Sequence, residues 1–188
     1  MLFSSQVFIL LFLPVAVLGF HALRDTTARI RWVLAASLVF YGWWDLAAVP
    51  VLAASVLGNW TLAELRVRLR LPLAVVAGVA LNLALLGVYK YADFFAGMAA
   101  ALTGQAHDPW GLTLPLGISF FTFQQISYLV DVHRGRVPHY PLERYATLVA
   151  FFPHLIAGPI VRHNELIPQF DQDPRRAEMA ALFGRGLL

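Results

Sequence analysis

Residues 151–163 read FFPHLIAGPIVRH, an apolar stretch interrupted by Pro153, Gly158 and Pro159 and closed by Arg162 and His163. A helix that crosses a hydrocarbon core of about 30 Å needs roughly 20 apolar residues, so this stretch is too short to span. It is also too greasy for a solvated loop. The combination predicts a re-entrant segment over 151–161 that dips into a membrane protein and returns. Broken backbone at that depth survives only when packed in protein or lining a polar cavity, which places the segment beside a substrate path.

The surrounding chain supplies a membrane context. Hydrophobic residues make up 59% of the 188 residues and charged residues 13%, too few to cover a water-soluble surface. The net charge of +3 does not point to nucleic acid, because the arginines fall in short clusters between apolar runs and form no basic face. The chain has no cysteine, which excludes disulfides and thiolate metal sites and leaves the compartment open. The first apolar run has no basic leader and no small-residue cleavage site near Gly19 to Ala22, and reads as a retained span.

Five stretches approach the length of a spanning helix: about 2–23, 30–44, 46–65, 71–89 and 112–130. If each crosses once, every Lys and Arg except Lys90 falls on one face. The positive-inside rule makes that face cytoplasmic and puts the N-terminus outside. The expected fold class is therefore all-α, a polytopic transmembrane helix bundle with a re-entrant segment. One membrane domain covers 1–188, with 162–188 along the cytoplasmic surface. Trp32, Tyr41, Trp43, Trp44, Trp60, Tyr89 and Tyr91 are expected as interfacial anchors, and 94–102 as a short interfacial helix. Asp173, before Pro174, is a candidate helix cap.

The fifth span carries Ser119, Thr122, Gln124, Gln125, Ser127 and Tyr128 inside an apolar run. Helical spacing puts Gln124, Ser127, Tyr128 and Asp131 on one face. Amides and hydroxyls are costly against lipid, so that face is expected to turn toward other helices or a wet cavity. Helix-to-helix hydrogen bonding is the plainer reading for any one of them. Asp131 reads as half of a surface ion pair with Arg134, three residues on.

The string LPLGISFFTFQQISYLVDVHRG over 114–135, followed by FFPHLIAGPIVR over 151–162, resembles the membrane-bound O-acyltransferase family. Within it, the likeness is to the branch that O-acetylates alginate and related bacterial exopolysaccharides. The opening MLFSSQVFILLFLP, the run LVFYGWWD over 38–45 and LLGVYKYADFF over 85–95 are similar to that branch in the same order.

The resemblance implies a helix bundle with re-entrant pieces around a tunnel, in the bacterial inner membrane. It implies no bound cofactor. The acyl donor is acetyl-CoA or another acyl thioester; the partners are membrane lipid, the acceptor polysaccharide and an extracytoplasmic acetyl-transfer protein, with no nucleic acid. The family's catalytic histidine lies beyond the motifs seen here, which makes the chain an expected N-terminal fragment, its own enzymatic activity open, with no catalytic residue assigned.

The candidate substrate path is Gln124, Gln125, Tyr128, His154, Gly158, Pro159 and Arg162. For His154 the plainer reading is a packed imidazole bonded to a freed carbonyl. Arg162 suits a phosphate or carboxylate at the cytoplasmic mouth, or equally a lipid head group, while Gly158 and Pro159 shape backbone. His21, His107, His133 and His139 read as solvated or interfacial, and His163 follows Arg162 at the edge of the broken segment. A D-alanyl or peptidoglycan branch differs only in acceptor. A non-catalytic membrane component, a transporter or an inactive truncated remnant are the other readings. P-loop, Rossmann fingerprint, zinc spacing and nucleophile elbow are absent from the sequence.

Overall fold

Local chemistry sets the helix boundaries in the computed structural model, which describes residues 3–106, 108–155 and 163–172. Helix α1 covers Phe8–Ala22. It opens with a wider π turn over Phe8–Phe12, just before Pro14, whose ring has no N–H to give and crowds the preceding carbonyl. Helix α2, Thr26–Trp44, begins where Asp25 leaves the extended region and its carboxylate accepts the Ala28 N–H at 2.8 Å. Helix α3 is Ala48–Arg68, with Arg66 and Arg68 in a last turn that favours cations.

Helix α4 is Leu73–Thr103 and stops on Gly104 in the left-handed region. The separate interfacial helix expected over 94–102 is instead the last part of α4. The sequence YKYADFF offers no proline or capping break there, so the helix continues. Helix α5, Ile118–His133, starts later than the apolar run because Pro115 and left-handed Gly117 turn the chain first. Helix α6 is Leu142–Ala150, α7 the four-residue Phe152–Leu155 and α8 His163–Phe170. Among the described residues there is no strand. Gly158, Pro159 and Arg162, with most of the re-entrant segment, and Asp173 lie outside the described residues.

Helix α3 is central and packs against α4, α5 and α6, while α2 packs against α6 and α7 and carries α1 on its outer side. The main core draws Tyr41, Leu52, Phe121, Leu129, Tyr145 and Leu155 from α2, α3, α5, α6 and α7. A second cluster seats Leu166, Ile167 and Phe170 of α8 against Ile30, Val33 and Leu148.

The outer faces stay apolar. Helices α3 and α4 are each long and apolar enough to cross a membrane, yet only 28% of each apolar window is buried by the rest of the protein. The core helix of a soluble protein is, by contrast, mostly buried. Leu73 and Leu102 of α4 are 72% and 82% exposed. Apolar surface of this extent needs a lipid or protein cover, and the protein is a membrane protein.

Candidate functional site

The polar residues in these apolar helices form three groups around α5. Gln125 is fully buried; its Nε2 donates to Ser55 Oγ of α3 at 2.9 Å, and its Oε1 accepts from the Tyr145 hydroxyl of α6 at 3.1 Å. One carboxamide thus ties three helices. Tyr128, one turn on and also fully buried, accepts the Tyr140 N–H at its hydroxyl at 3.0 Å and lies 3.1 Å from His139 Nδ1. Its ring packs on Tyr145 with centroids 4.6 Å apart.

The second group sits where the 134–141 connection folds back over α3. Glu64 Oε2 lies 2.6 Å from His139 Nε2, a contact that is an ion pair only when the imidazole is protonated. Glu64 also pairs with Arg68. Trp60 donates its indole N–H to the Tyr140 carbonyl at 3.0 Å, and its ring lies 5.3 Å from the His139 ring. Burial holds the His139 imidazole below its usual pKa, against the raising pull of Glu64; Arg68 adds to the lowering. His139 is therefore a packed, bonded residue, not the solvated loop histidine expected. Trp60 and Tyr41 likewise act as struts: the buried Tyr41 hydroxyl donates to the Leu116 carbonyl at 3.1 Å. Asp131 lies 3.6 Å from Arg136, which the turn at Gly135 brings back onto α5.

The third group is unsatisfied. Gln124 and His154 are each 4% exposed, and among the described residues neither amide atom of Gln124 and neither ring nitrogen of His154 has a hydrogen-bond partner. The carbonyl partner expected for His154 is not found among them. Phe120, one turn before Gln124 on the same face of α5, lies 5.4 Å from the His154 ring, and Phe151 packs edge-on at 5.3 Å. His154 thus joins α7 to α5 by an aromatic contact one turn from Gln124. Burying unpaired polar atoms costs about 1–3 kcal/mol per group, which sets these two side chains apart from the bonded Gln125 and Tyr128. Ser127, expected on the same inward face, is exposed.

Sequence reasoning missed Asn59 and Asn82, a buried reciprocal amide pair between α3 and α4 at 2.5 and 3.3 Å. Lone amides inside apolar helices were the available signal. It also missed Tyr145, whose partners come from distant parts of the chain. Among the described residues no group of His, Cys, Asp and Glu is arranged to hold a metal ion.

Comparison with known proteins bears directly on these motifs. The chain is 40% identical over 181 residues to the probable alginate O-acetylase AlgI of Pseudomonas aeruginosa, covering 91% of this chain and 35% of that protein. It is homologous to these O-acetyltransferases. The protein of the same name from Azotobacter vinelandii is 40% identical over 186 residues, covering 91% of this chain and 36% of the relative. A peptidoglycan O-acetyltransferase of Helicobacter pylori is 35% identical over 204 aligned residues, covering 90% of this chain and 38% of the relative. The O-acyltransferase resemblance read from residues 114–135 and 151–162 is borne out. The chain spans a little over a third of the length of the curated relatives it matches. No family model and no solved structure matches the chain.

Proposed function

We propose that this protein contributes the helical membrane scaffold of an O-acyltransferase that passes an acetyl or other short acyl group to a polysaccharide outside the cytoplasm, alginate being the model acceptor. The observation that carries the reading is 40% identity to a protein named for alginate O-acetylation across 91% of the chain. The apolar outer faces of α3 and α4 support the membrane setting. In the finer reading the bundle is polytopic in the inner membrane of a bacterium, the N-terminus lies outside and residues 151–161 re-enter.

The donor in this reading is acetyl-CoA or another acyl thioester, and the product passes to an extracytoplasmic acetyl-transfer protein or directly to the polysaccharide. O-acyl transfer needs a base to take the proton of the attacking hydroxyl. No described residue is assigned that role. The unpaired atoms of Gln124 and His154 suit a positioning role, offering a donor and acceptors to a polar group moving along the α5–α7 contact. Gln125 and Tyr128, saturated by Ser55, Tyr145 and Tyr140, form the fixed wall behind them. Arg162, outside the described residues, is proposed for the cytoplasmic mouth on its sequence context alone.

The test is genetic. Deleting the coding region from its host should lower the base-labile acetate on exported polysaccharide, and returning it should restore the level. Unchanged acetate on every exported polysaccharide would overturn the proposal.

A further inference from the structure

Helix α8, His163–Phe170, cannot stand alone. Eight residues are too few to stay helical in water, and Pro168 inside the helix has no N–H to give to the ladder. The segment is helical because it is docked. Leu166, Ile167 and Phe170 are buried against Ile30, Val33 and Leu148, while Pro168, Gln169, Asp171 and Gln172 stay exposed.

Two arginines fasten its C-terminal end. Arg144 of α6 grips the Asp171 carboxylate with two hydrogen bonds, at 2.9 and 2.7 Å, and the two side chains remain 31% and 47% exposed. Arg29 of α2 is buried. One of its terminal nitrogens donates to the Gln172 carbonyl at 3.2 Å and the other to Thr26 Oγ1 at 3.2 Å. Cations at this end complement the free carbonyls of a helix C-terminus.

Beneath α8 lies the approach to α7. Phe170 packs edge-on to Phe151 with centroids 6.0 Å apart, and Phe151 packs edge-on to the His154 ring at 5.3 Å. Phe170 also lines, together with Phe151, Pro153 and Val33, a cavity of about 300 Å³.

We infer that α8 is a latch: it undocks as one piece while the bundle stays folded, opening the cavity beside α7 to water, and the Arg144–Asp171 pair sets how often it does so. Its two states follow from its chemistry. Off the bundle the segment has neither the length nor the backbone bonding of a stable helix, so undocking and melting are one step. Its attachment consists of three apolar side chains and of charge contacts that salt screens, whereas α3 is held by α4, α5 and α6 at once. The inference uses this packing alone and does not depend on acyl transfer.

The chain has no cysteine, so an introduced thiol reports by itself. V33C places one under α8 on the wall of the cavity, and A63C places one at a wholly buried site of α3 in a different part of the core. Each full-length variant is held in lipid nanodiscs, open to water on both sides, and its reaction with a membrane-impermeant sulfonated maleimide is followed by mass. V33C should react and A63C should not. D171N should speed V33C roughly fivefold, the upper worth of a partly exposed ion pair, and leave A63C unreactive. R144Q should match D171N, with the two together adding little, and raised salt should speed V33C but not V33C/D171N. An unchanged V33C rate in D171N would overturn the inference. So would a parallel rise at A63C, which would show the whole bundle loosening, or a V33C as unreactive as A63C in every background, which would show that α8 never lifts.

Discussion

Replacing Asn59 or Asn82 by alanine tests how α3 and α4 are held together. The two amides exchange hydrogen bonds at 2.5 and 3.3 Å, and each also donates to its own helix, Asn59 to the Ser55 carbonyl at 2.9 Å and Asn82 to the Gly78 carbonyl at 2.8 Å. Interhelical hydrogen bonds in membrane proteins average about 0.6 kcal/mol, so two of them give a coupling of roughly 1.2 kcal/mol. Each single variant also strands the partner amide, at a cost of about 1–3 kcal/mol when fully buried. The pair lines a groove of about 380 Å³, which lets the stranded amide find another partner and keeps the expected loss near 1–2 kcal/mol. Reversible unfolding in mixed detergent micelles, followed by circular dichroism for N59A, N82A and the double variant, measures the cycle. The double variant should lose little more than the worse single one. Additivity within about 0.3 kcal/mol would refute the pairing as an energetic unit.

Gly117 sits at φ +71°, and a Cβ there would lie 2.6 Å from the Leu155 carbonyl oxygen, so G117A should cost about 1–3 kcal/mol and separate α5 from α7; an unchanged thermal midpoint would contradict this. Because burial lowers the His139 pKa, the folded state binds its proton less readily than the unfolded chain. Its contribution is present above about pH 6.5 and is lost as pH falls from there toward the lowered folded value. Thermal stability should therefore drop on acidification from pH 7.5 to 5.5, and the drop should shrink in H139N; identical profiles would remove His139 as the cause. Q124L removes two unpaired buried atoms, so protein abundance should be unchanged or higher while polysaccharide acetate falls on the order of tenfold. Full acetate at normal abundance would take Gln124 off the path.

Much of this arrangement is legible residue by residue. The apolar run 30–44 announces α2, although the Asp25 cap starts the helix earlier, at Thr26, and the amide-rich LTLPLGISFFTFQQISYLVD announces a helix facing inward. The errors have physical causes. Hydropathy alone ended the fourth span at Tyr89, yet helix propensity and the lack of a breaker carry α4 on to Thr103. Hydropathy also started the fifth span at Leu112, where the turn at Pro115 and Gly117 forbids it. Helical spacing assigned Ser127 to the buried face, but that face runs through Phe121, Gln125, Tyr128 and Val132 and leaves Ser127 outside. The Glu64–His139 contact joins residues far apart in sequence through a folded-back connection, and no local pattern encodes that approach. His154 was singled out correctly as buried, but its lack of a hydrogen-bond partner among the described residues could only be seen in three dimensions.

The central claim is acyl transfer across a membrane. Its most direct test is to give labelled acetyl-CoA to the cytoplasmic side of membranes from the host, with and without the coding region, and to count label in polysaccharide on the opposite side. The account predicts transfer of base-labile label that depends on the coding region. Equal labelling in both membranes, with the protein shown to be present in one and absent from the other, would contradict it.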